Sequence, residues 1–329
     1  MFNRKVFETA EKIINEEGYS ISTETALEFT ELTEKGTMDL IFCANRIRER
    51  FKKNRIFTCA IINAKSGRCS ENCAYCAQSS FHDTGVTTYP LLSKEELVED
   101  ALKMYAAGAT EYSMVTSGLR LTGEEIDRIC SAAGTLKEKT DLAVCASLGT
   151  LSEPMALRLA RSGITNYHHN LETARSFFDQ ICTTHDYEED IDTVKAATKA
   201  GLRVCSGGII GLGESWTQRV ELAMTLRELE VDSIPLNFLN PVQGTRLEKR
   251  PLVPPMEALK SIALFRFINP AANITICGGR VLTLKDYQSW VFMAGANGLM
   301  SGNYLTTAGR DYAMDMEMIS DMGLETCRK

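Results

Sequence analysis

From residue 57 onward the chain alternates eight times between a short run rich in β-branched and apolar residues and a longer amphipathic segment. The runs fall at 57–62, 111–115, 142–146, 165–169, 203–206, 233–238, 274–277 and 298–301. Helical periodicity fills the gaps at 94–107, 123–137, 153–162, 187–200, 215–229, 255–268 and 284–294. Strands alternating with helices call for a parallel sheet covered by helices, because each crossover needs a helix-length connection. Eight repeats over roughly 250 residues match a closed (β/α)8 TIM-type barrel, with a doubly wound open sheet as the alternative. Before this rhythm begins, Val6, Ala10, Ile13 and Ile14 recur at helical spacing. The reading is therefore an N-terminal helical extension over 1–55 and a barrel with a C-terminal cap over 56–329.

A barrel of this kind places its chemistry where strands end and βα loops begin. The reactive and polar residues cluster there: Cys69, Cys73 and Cys76 after the first strand, Thr116 to Gly118 after the second, Cys145 on the third, and His168 to Asn170 at the end of the fourth. Cys205 to Gly208, Asn237, Cys277 to Gly279, and Ser301 onward to Thr306 and Thr307 complete the ring. A contribution from every strand is the pattern of one active site rather than of scattered turn residues.

The net charge of −7 and pI near 5.4 argue against nucleic acid or an anionic membrane surface as partner, since both call for clustered Lys and Arg. The N-terminal segment is charged before any apolar signal region develops, and no stretch offers the ~18 apolar residues of a membrane span. The expectation is a cytoplasmic protein. Eleven cysteines then point to metal or redox chemistry rather than to a disulfide framework.

Cys69, Cys73 and Cys76 are spaced C-x3-C-x2-C, with Tyr75 before the last. Three thiolates within eight residues suit a 4Fe-4S cluster with one iron left open. A zinc knuckle is the competing reading, with His82 as a conceivable fourth ligand. A second group is Cys59, Cys145, Cys205 and Cys277, one on each odd-numbered strand. Alternate strands of such a barrel send side chains into the same interior layer, which suggests a four-thiolate site in the barrel mouth. A buried cysteine is also a common small core residue, and Cys59, of unknown depth, is the least constrained of the four. Cys43, Cys130, Cys182 and Cys327 follow no pattern and read as free structural thiols.

The three-cysteine motif resembles the radical S-adenosylmethionine signature. Leu148-Gly-Thr-Leu-Ser152, Tyr167-His-His-Asn-Leu-Glu-Thr173, the segment from Val204 to Glu214, Pro235-Leu-Asn-Phe-Leu-Asn240 and Gly302-Asn-Tyr-Leu-Thr-Thr307 narrow the likeness to the biotin synthases, over about residues 57–323. That resemblance implies a 4Fe-4S cluster on Cys69, Cys73 and Cys76 whose open iron chelates S-adenosylmethionine. It implies radical insertion of sulfur into dethiobiotin to form biotin, the sulfur coming from an auxiliary iron-sulfur cluster. Carried over by motif, Tyr75, Ser117, Gly118, Glu172, Gly208 and Ile210 belong to the S-adenosylmethionine site, with Glu172 at the ribose. Asn170 and Asn237 would take the ureido ring of dethiobiotin, and Thr306 and Thr307 its carboxylate. The family likeness also implies a flavodoxin- or ferredoxin-type reductant, iron-sulfur assembly proteins as partners, and a homodimer.

The chain departs from the common family pattern at the auxiliary site. Ser113 stands where that pattern has a cysteine and Thr275 where it has an arginine, while Cys59 and Cys277 replace serines. An all-cysteine ligand set follows, and with it the expectation of a 4Fe cluster carrying an extra sulfide in place of the usual 2Fe-2S form. Glu111 and Asp190 occupy positions where the common form has arginines, and His168 replaces an asparagine. The rival readings are a related radical enzyme of hydrogenase-maturation or methylornithine-synthase type, and a non-enzymatic iron-sulfur carrier.

Overall fold

The computed structural model describes residues 2–302, 304–306 and 309–327. Its sheet strands are β1 Arg55–Lys65, β2 Glu111–Thr116, β3 Ala143–Ser147, β4 Asn166–His168, β5 Arg203–Cys205, β6 Gly208–Ile210, β7 Ser233–Phe238, β8 Asn273–Ile276, β9 Gly298–Met300 and the short β10 Glu325–Thr326. All pairings between these strands are parallel. β1 pairs with β2 on one side and with β9 on the other, Phe57 lying opposite Gly298. That pairing closes the sheet and removes the open-sheet alternative.

β5 and β6 are two halves of one stave, β5 meeting β7 at Ser233 and β6 meeting it from Leu236 to Phe238. The break falls at Ser206-Gly207, where β7 comes very close. A Cβ on Gly207 would lie 2.0 Å from the Pro235 carbonyl oxygen, so only glycine lets the two backbones approach.

The helices are α1 Arg4–Asn15, α2 Thr23–Thr30, α3 Glu34–Lys52, α4 Lys94–Ala106, α5 Gly123–Lys139, α6 Glu153–Arg161, α7 Arg175–Phe178, α8 Tyr187–Lys199, α9 Trp216–Glu228, α10 Pro255–Ile268, α11 Arg280–Leu284, α12 Trp290–Met293 and α13 Tyr312–Asp321. Local signals start several of them: Ser93, Thr122, Asp186 and Ser215 each form a capping box with the Glu or Gln three residues on. One expected helix is broken. Residues 284–294 form the end of α11, a 3-10 turn at Lys285–Tyr287, and α12. Lys285 has φ +49, which ends α11, and the Gln288 side chain turns back to donate to the Arg280 and Lys285 carbonyls.

The first three helices pack on the barrel rather than standing apart. Lys260 on α10 donates to the carbonyls of Thr30 and Leu32, Arg227 on α9 donates to Ile21, and Phe29 meets Phe267 edge to face at 5.5 Å. Val6, Leu40 and Ile47 share one continuous core with Leu236, Ile276 and Ile319. At the other end of the chain, α13 is tied down by an ion pair buried completely on both sides, Asp315 with Arg280.

Candidate active site

The loop after β1 folds back on itself. Cys69 N–H donates to the Gln78 carbonyl (3.0 Å), Ser80 N–H to Cys69 (2.9 Å), Cys76 N–H to Cys73 (3.0 Å), and the Ser79 hydroxyl to Glu71 (2.6 Å). This turn holds the three thiols together above the strand ends. Cys69 and Cys73 face a pocket of about 410 Å3 over the barrel mouth, whose walls also carry Tyr75, Gly118, Asn170, Glu172, Asn237 and Thr306. His82 Nδ1 lies 2.9 Å from the Cys76 carbonyl, so that ring nitrogen is engaged with backbone rather than offered beside the thiols. Two thiols facing this open space, with Cys76 on the same loop, fit an iron-sulfur cluster with one free iron better than a closed zinc site.

Glu172 is the most constrained residue of the pocket. Its φ is +60, and its carbonyl accepts from Ile209 N–H at 2.8 Å across a parallel bridge to Gly208. A Cβ on Gly208 would come within 2.5 Å of that carbonyl oxygen. Gly208 is therefore what lets the backbone present Glu172. Burial pushes the Glu172 carboxyl up to about 7, against hydrogen bonding from Tyr75 and Asn170 that pulls it down. One of its oxygens, Oε2, is buried without a hydrogen-bond partner, as is the Tyr304 hydroxyl in the same pocket. Buried unpaired polar atoms facing a cavity are ready to receive a polar ligand.

The other residues picked out by motif are placed as follows. Asn170 Oδ1 accepts from Gly207 N–H (3.2 Å), and its NH2 group is turned toward Glu172. Asn237 bridges two strands, accepting from Gly278 N–H (2.9 Å) and donating to the Gly208 carbonyl (3.3 Å). Ser117 donates to the Gly67 carbonyl at 2.7 Å, and Ile210 is packed into the core. Thr306 lines the pocket, while Thr307 lies outside the described residues.

Beside the three-cysteine loop stands a group that motif reading left out. His185 Nδ1 is 2.7 Å from Glu71 and its Nε2 is 3.4 Å from Asp190, which in turn meets His169 Nε2 at 2.7 Å. Burial opposes charge on His185, but hydrogen bonds to Asp190, Cys182 and Glu71 prevail and raise it to about 11. Asp190 thus stands within an imidazole pair on the pocket wall. Cys182, expected to be an ordinary structural thiol, lies with its sulfur 3.8 Å from that of Cys73. Glu71 and His185 carry no spacing signal, and only their meeting in space shows them.

Below the pocket, inside the barrel, Cys59, Cys205 and Cys277 line a narrow cavity of about 30 Å3. Cys145 is fully buried on β3 and does not line it, yet it is near enough that its ionisation, like that of Cys277 or Cys205, would oppose that of Cys59. Burial is the main cause that pushes all four thiols up, Cys205 to about 12, and the neighbouring sulfurs add to it at Cys59, Cys145 and Cys277. Arg203 and Arg280 are cations that act the other way, Arg203 on Cys145 and Cys205 and Arg280 on Cys277. Nearby Ser113 Oγ, Asn166 Oδ1 and Ser206 Oγ are buried without partners. Three thiols on the cavity with Cys145 close behind them fit soft-metal ligation, and the small void means that a cluster seated there would push surrounding side chains outward. His168, Pro235, Cys277 and Met300 form a wall common to this cavity and the pocket above.

A closed (β/α)8 barrel with a three-cysteine loop over its first strand is the build of a radical S-adenosylmethionine enzyme. Residues 64–226 match the model of the radical SAM superfamily, and residues 235–325 match that of the Biotin and Thiamin Synthesis associated domain. The chain is 58% identical over 310 residues to a biotin synthase of Syntrophus aciditrophicus, covering 94% of this chain and 95% of that one. It is 51% identical to a biotin synthase of Geobacter metallireducens, covering 98% of each. The chain belongs to the biotin synthase family. Among solved structures, methylornithine synthase (PylB) superposes with a TM-score of 0.84 at 20% identity over 97% of both chains. The hydrogenase maturase HydG from Carboxydothermus hydrogenoformans does so with 0.82 at 18% identity, over 98% of this chain and 79% of that one. At these identities the likeness is one of fold. No helix among the described residues is long and apolar enough to cross a membrane.

Proposed function

We propose that this chain makes biotin from dethiobiotin by S-adenosylmethionine-dependent radical insertion of sulfur. The observation that carries the reading is the stacking of two thiol-bearing chambers along one barrel axis, with His168, Pro235, Cys277 and Met300 between them. A molecule in the upper pocket lies between a radical source and a sulfur source. When bound, a 4Fe-4S cluster on Cys69, Cys73 and Cys76 with S-adenosylmethionine supplies the radical, and an auxiliary cluster on Cys59, Cys145, Cys205 and Cys277 supplies the sulfur.

The chain's own residues bind, orient and exclude water. Glu172, with its unpaired carboxyl oxygen, takes the ribose hydroxyls, next to Tyr75 and Gly118. The NH2 of Asn170, which also reaches Glu172, takes the urea carbonyl with its second hydrogen, and Asn237, held rigid by Gly278 and Gly208, sets the far edge of the ring. Thr306, with Thr307 beside it in sequence, takes the carboxylate. Ser117 and Ile210 act on the cofactor indirectly, Ser117 by fixing the three-cysteine loop at Gly67 and Ile210 by anchoring β6 in the core. The four-cysteine set, with Thr275 in place of an arginine, supports an all-cysteine 4Fe auxiliary cluster with an extra sulfide rather than a 2Fe-2S form. A flavodoxin- or ferredoxin-type reductant, assembly proteins, a homodimer and a cytoplasmic location accompany the reading through the family likeness.

Anaerobic incubation of reconstituted protein with S-adenosylmethionine, reductant and dethiobiotin, read by mass spectrometry, should yield 5'-deoxyadenosine and biotin. Cys145→Ala and Cys277→Ala should lose biotin and the auxiliary iron while keeping the 4Fe-4S signal. 5'-Deoxyadenosine without biotin from the native sequence would refute the substrate, and only 2Fe-2S signals beside the 4Fe-4S ones in Mössbauer spectra would refute the auxiliary cluster.

A further inference from the structure

We infer that Cys73 and Cys182 form a disulfide in the cluster-free protein, so that oxidation removes one of the three thiols that hold the radical cluster. The two sulfurs lie 3.8 Å apart although 109 residues separate them in sequence. The backbone on either side of each cysteine is already in register. Ala74 N–H donates to the Ile181 carbonyl at 2.8 Å, and Thr183 N–H donates to Asn72 Oδ1 at 2.9 Å. Asn72 also donates from its side chain to Thr183 (2.7 Å) and from its backbone to Thr184 Oγ1 (3.1 Å). Arg246 Nη2 then donates to both the Asn72 and Ile181 carbonyls, at 3.2 and 2.8 Å. Position 73 is therefore held opposite position 182 from both sides.

A disulfide needs its sulfurs about 2.05 Å apart, so closure asks for a shift of under ~2 Å, within reach of side-chain rotation when the backbone is already paired. Cys182 is 2% exposed, whereas Cys73 opens onto the 410 Å3 pocket. A small oxidant entering the pocket therefore reaches Cys73 first. Cys182 is oriented toward it by contacts with Thr184 Oγ1 and His185 Nδ1, both at 3.4 Å.

Hydrogen peroxide is the oxidant class that balances the step. The Cys73 sulfur attacks one peroxide oxygen, the O–O bond breaks, and one water leaves with a sulfenic acid on Cys73. The Cys182 sulfur then attacks the sulfenic sulfur, the S–O bond breaks, and a second water leaves as the S–S bond forms. Two thiols lose two electrons and two protons, and peroxide is reduced to two waters. While iron holds Cys73 its sulfur is occupied, so the linkage belongs to protein that has lost its cluster. Reloading then requires a thiol reductant first, and it is this consequence that rests on the assignment of Cys73 as a cluster ligand.

The test uses the full-length chain, freed of iron anaerobically, treated with one equivalent of hydrogen peroxide, alkylated and digested without reduction. A peptide pair joined through Cys73 and Cys182, lighter by two hydrogens than the two free peptides, is expected. Iron uptake by the oxidised protein should be lost without dithiothreitol and restored with it, and in Cys182→Ser the joined peptide pair should be absent, with Cys73 trapped as its sulfenic acid. Full alkylation of both cysteines, or Cys73 joined to Cys69 or Cys76 instead, would overturn the inference. The peptide map is made on the native sequence, so it stands even where the variant folds poorly. A mapped linkage with unchanged iron uptake would refute the assignment of Cys73 as a ligand, and with it the blocked reloading.

Discussion

Asp315→Asn is the perturbation whose cost the geometry defines most sharply. Asp315 and Arg280 are each 0% exposed, and the guanidinium donates to Asp315 and, at 2.8 Å, to Gln288 Oε1. Asp315 also accepts from the Ser301 hydroxyl at 3.0 Å and stands 3.7 Å from Arg310, so it holds both ends of the strap that carries Tyr304 and Thr306. The asparagine keeps the volume and removes the charge, leaving Arg280 buried without a counter-charge. Loss of one neutral hydrogen bond costs about 1 kcal/mol, whereas an uncompensated buried charge costs about 3–5 kcal/mol. The pair itself is imperfectly satisfied, since Arg280 Nε and Asp315 Oδ1 lack hydrogen-bond partners. Its net contribution over an apolar pair is therefore small, and Arg280→Met with Asp315→Leu should restore most of the loss. Denaturant unfolding of the cluster-free protein reads both variants, and the single substitutions Arg280→Met and Asp315→Leu complete the double-mutant cycle that gives the coupling. A cost for Asp315→Asn near 1 kcal/mol, or a double variant as unstable as the single one, would refute the reasoning.

Glu172→Gln tests the buried carboxyl by pH. A folded-state value near 7, raised from an ordinary 4.5, means that the native state holds its proton longer than the unfolded chain does. Native protein should therefore lose on the order of 3 kcal/mol relative to the glutamine variant between about pH 4.5 and 7, and no more above it. A difference that does not change with pH would show that the carboxyl is not buried as described. Gly208→Ala places a methyl group 2.5 Å from the Glu172 carbonyl oxygen and should cost about 1–3 kcal/mol while weakening S-adenosylmethionine binding in equilibrium dialysis. Gly123→Ala, at the open start of α5, is the control expected to change stability by no more than about 0.5 kcal/mol.

The barrel was legible in the chain because each βα unit is defined locally. The 233–238 and 255–268 segments form as read, and the capping boxes at Ser93, Thr122 and Ser215 start their helices. The failure at 284–294 has a tertiary cause: Gln288 is turned inward to Arg280, whose own partner, Asp315, sits 35 residues away. Apolar periodicity continues through that stretch and carries no trace of the pull.

The site divides the same way. Cys69, Cys73, Tyr75 and Cys76 announce themselves because the thiols proposed for the radical cluster sit on one contiguous loop, so their spacing carries the signal. Strand parity likewise made Cys59, Cys145, Cys205 and Cys277 a set, since a closed barrel sends alternate strands to a common layer. Only the folded chain, however, shows that Cys145 stands back from the cavity that the other three line. Folding alone also brings Glu71, His169, His185 and Asp190 into one buried network, and gives Asn170 and Asn237 backbone partners. Local periodicity and motif spacing are written along one dimension. The contact of Cys73 with Cys182 is made across 109 residues by hydrogen bonds between two loops, and nothing along the chain encodes it.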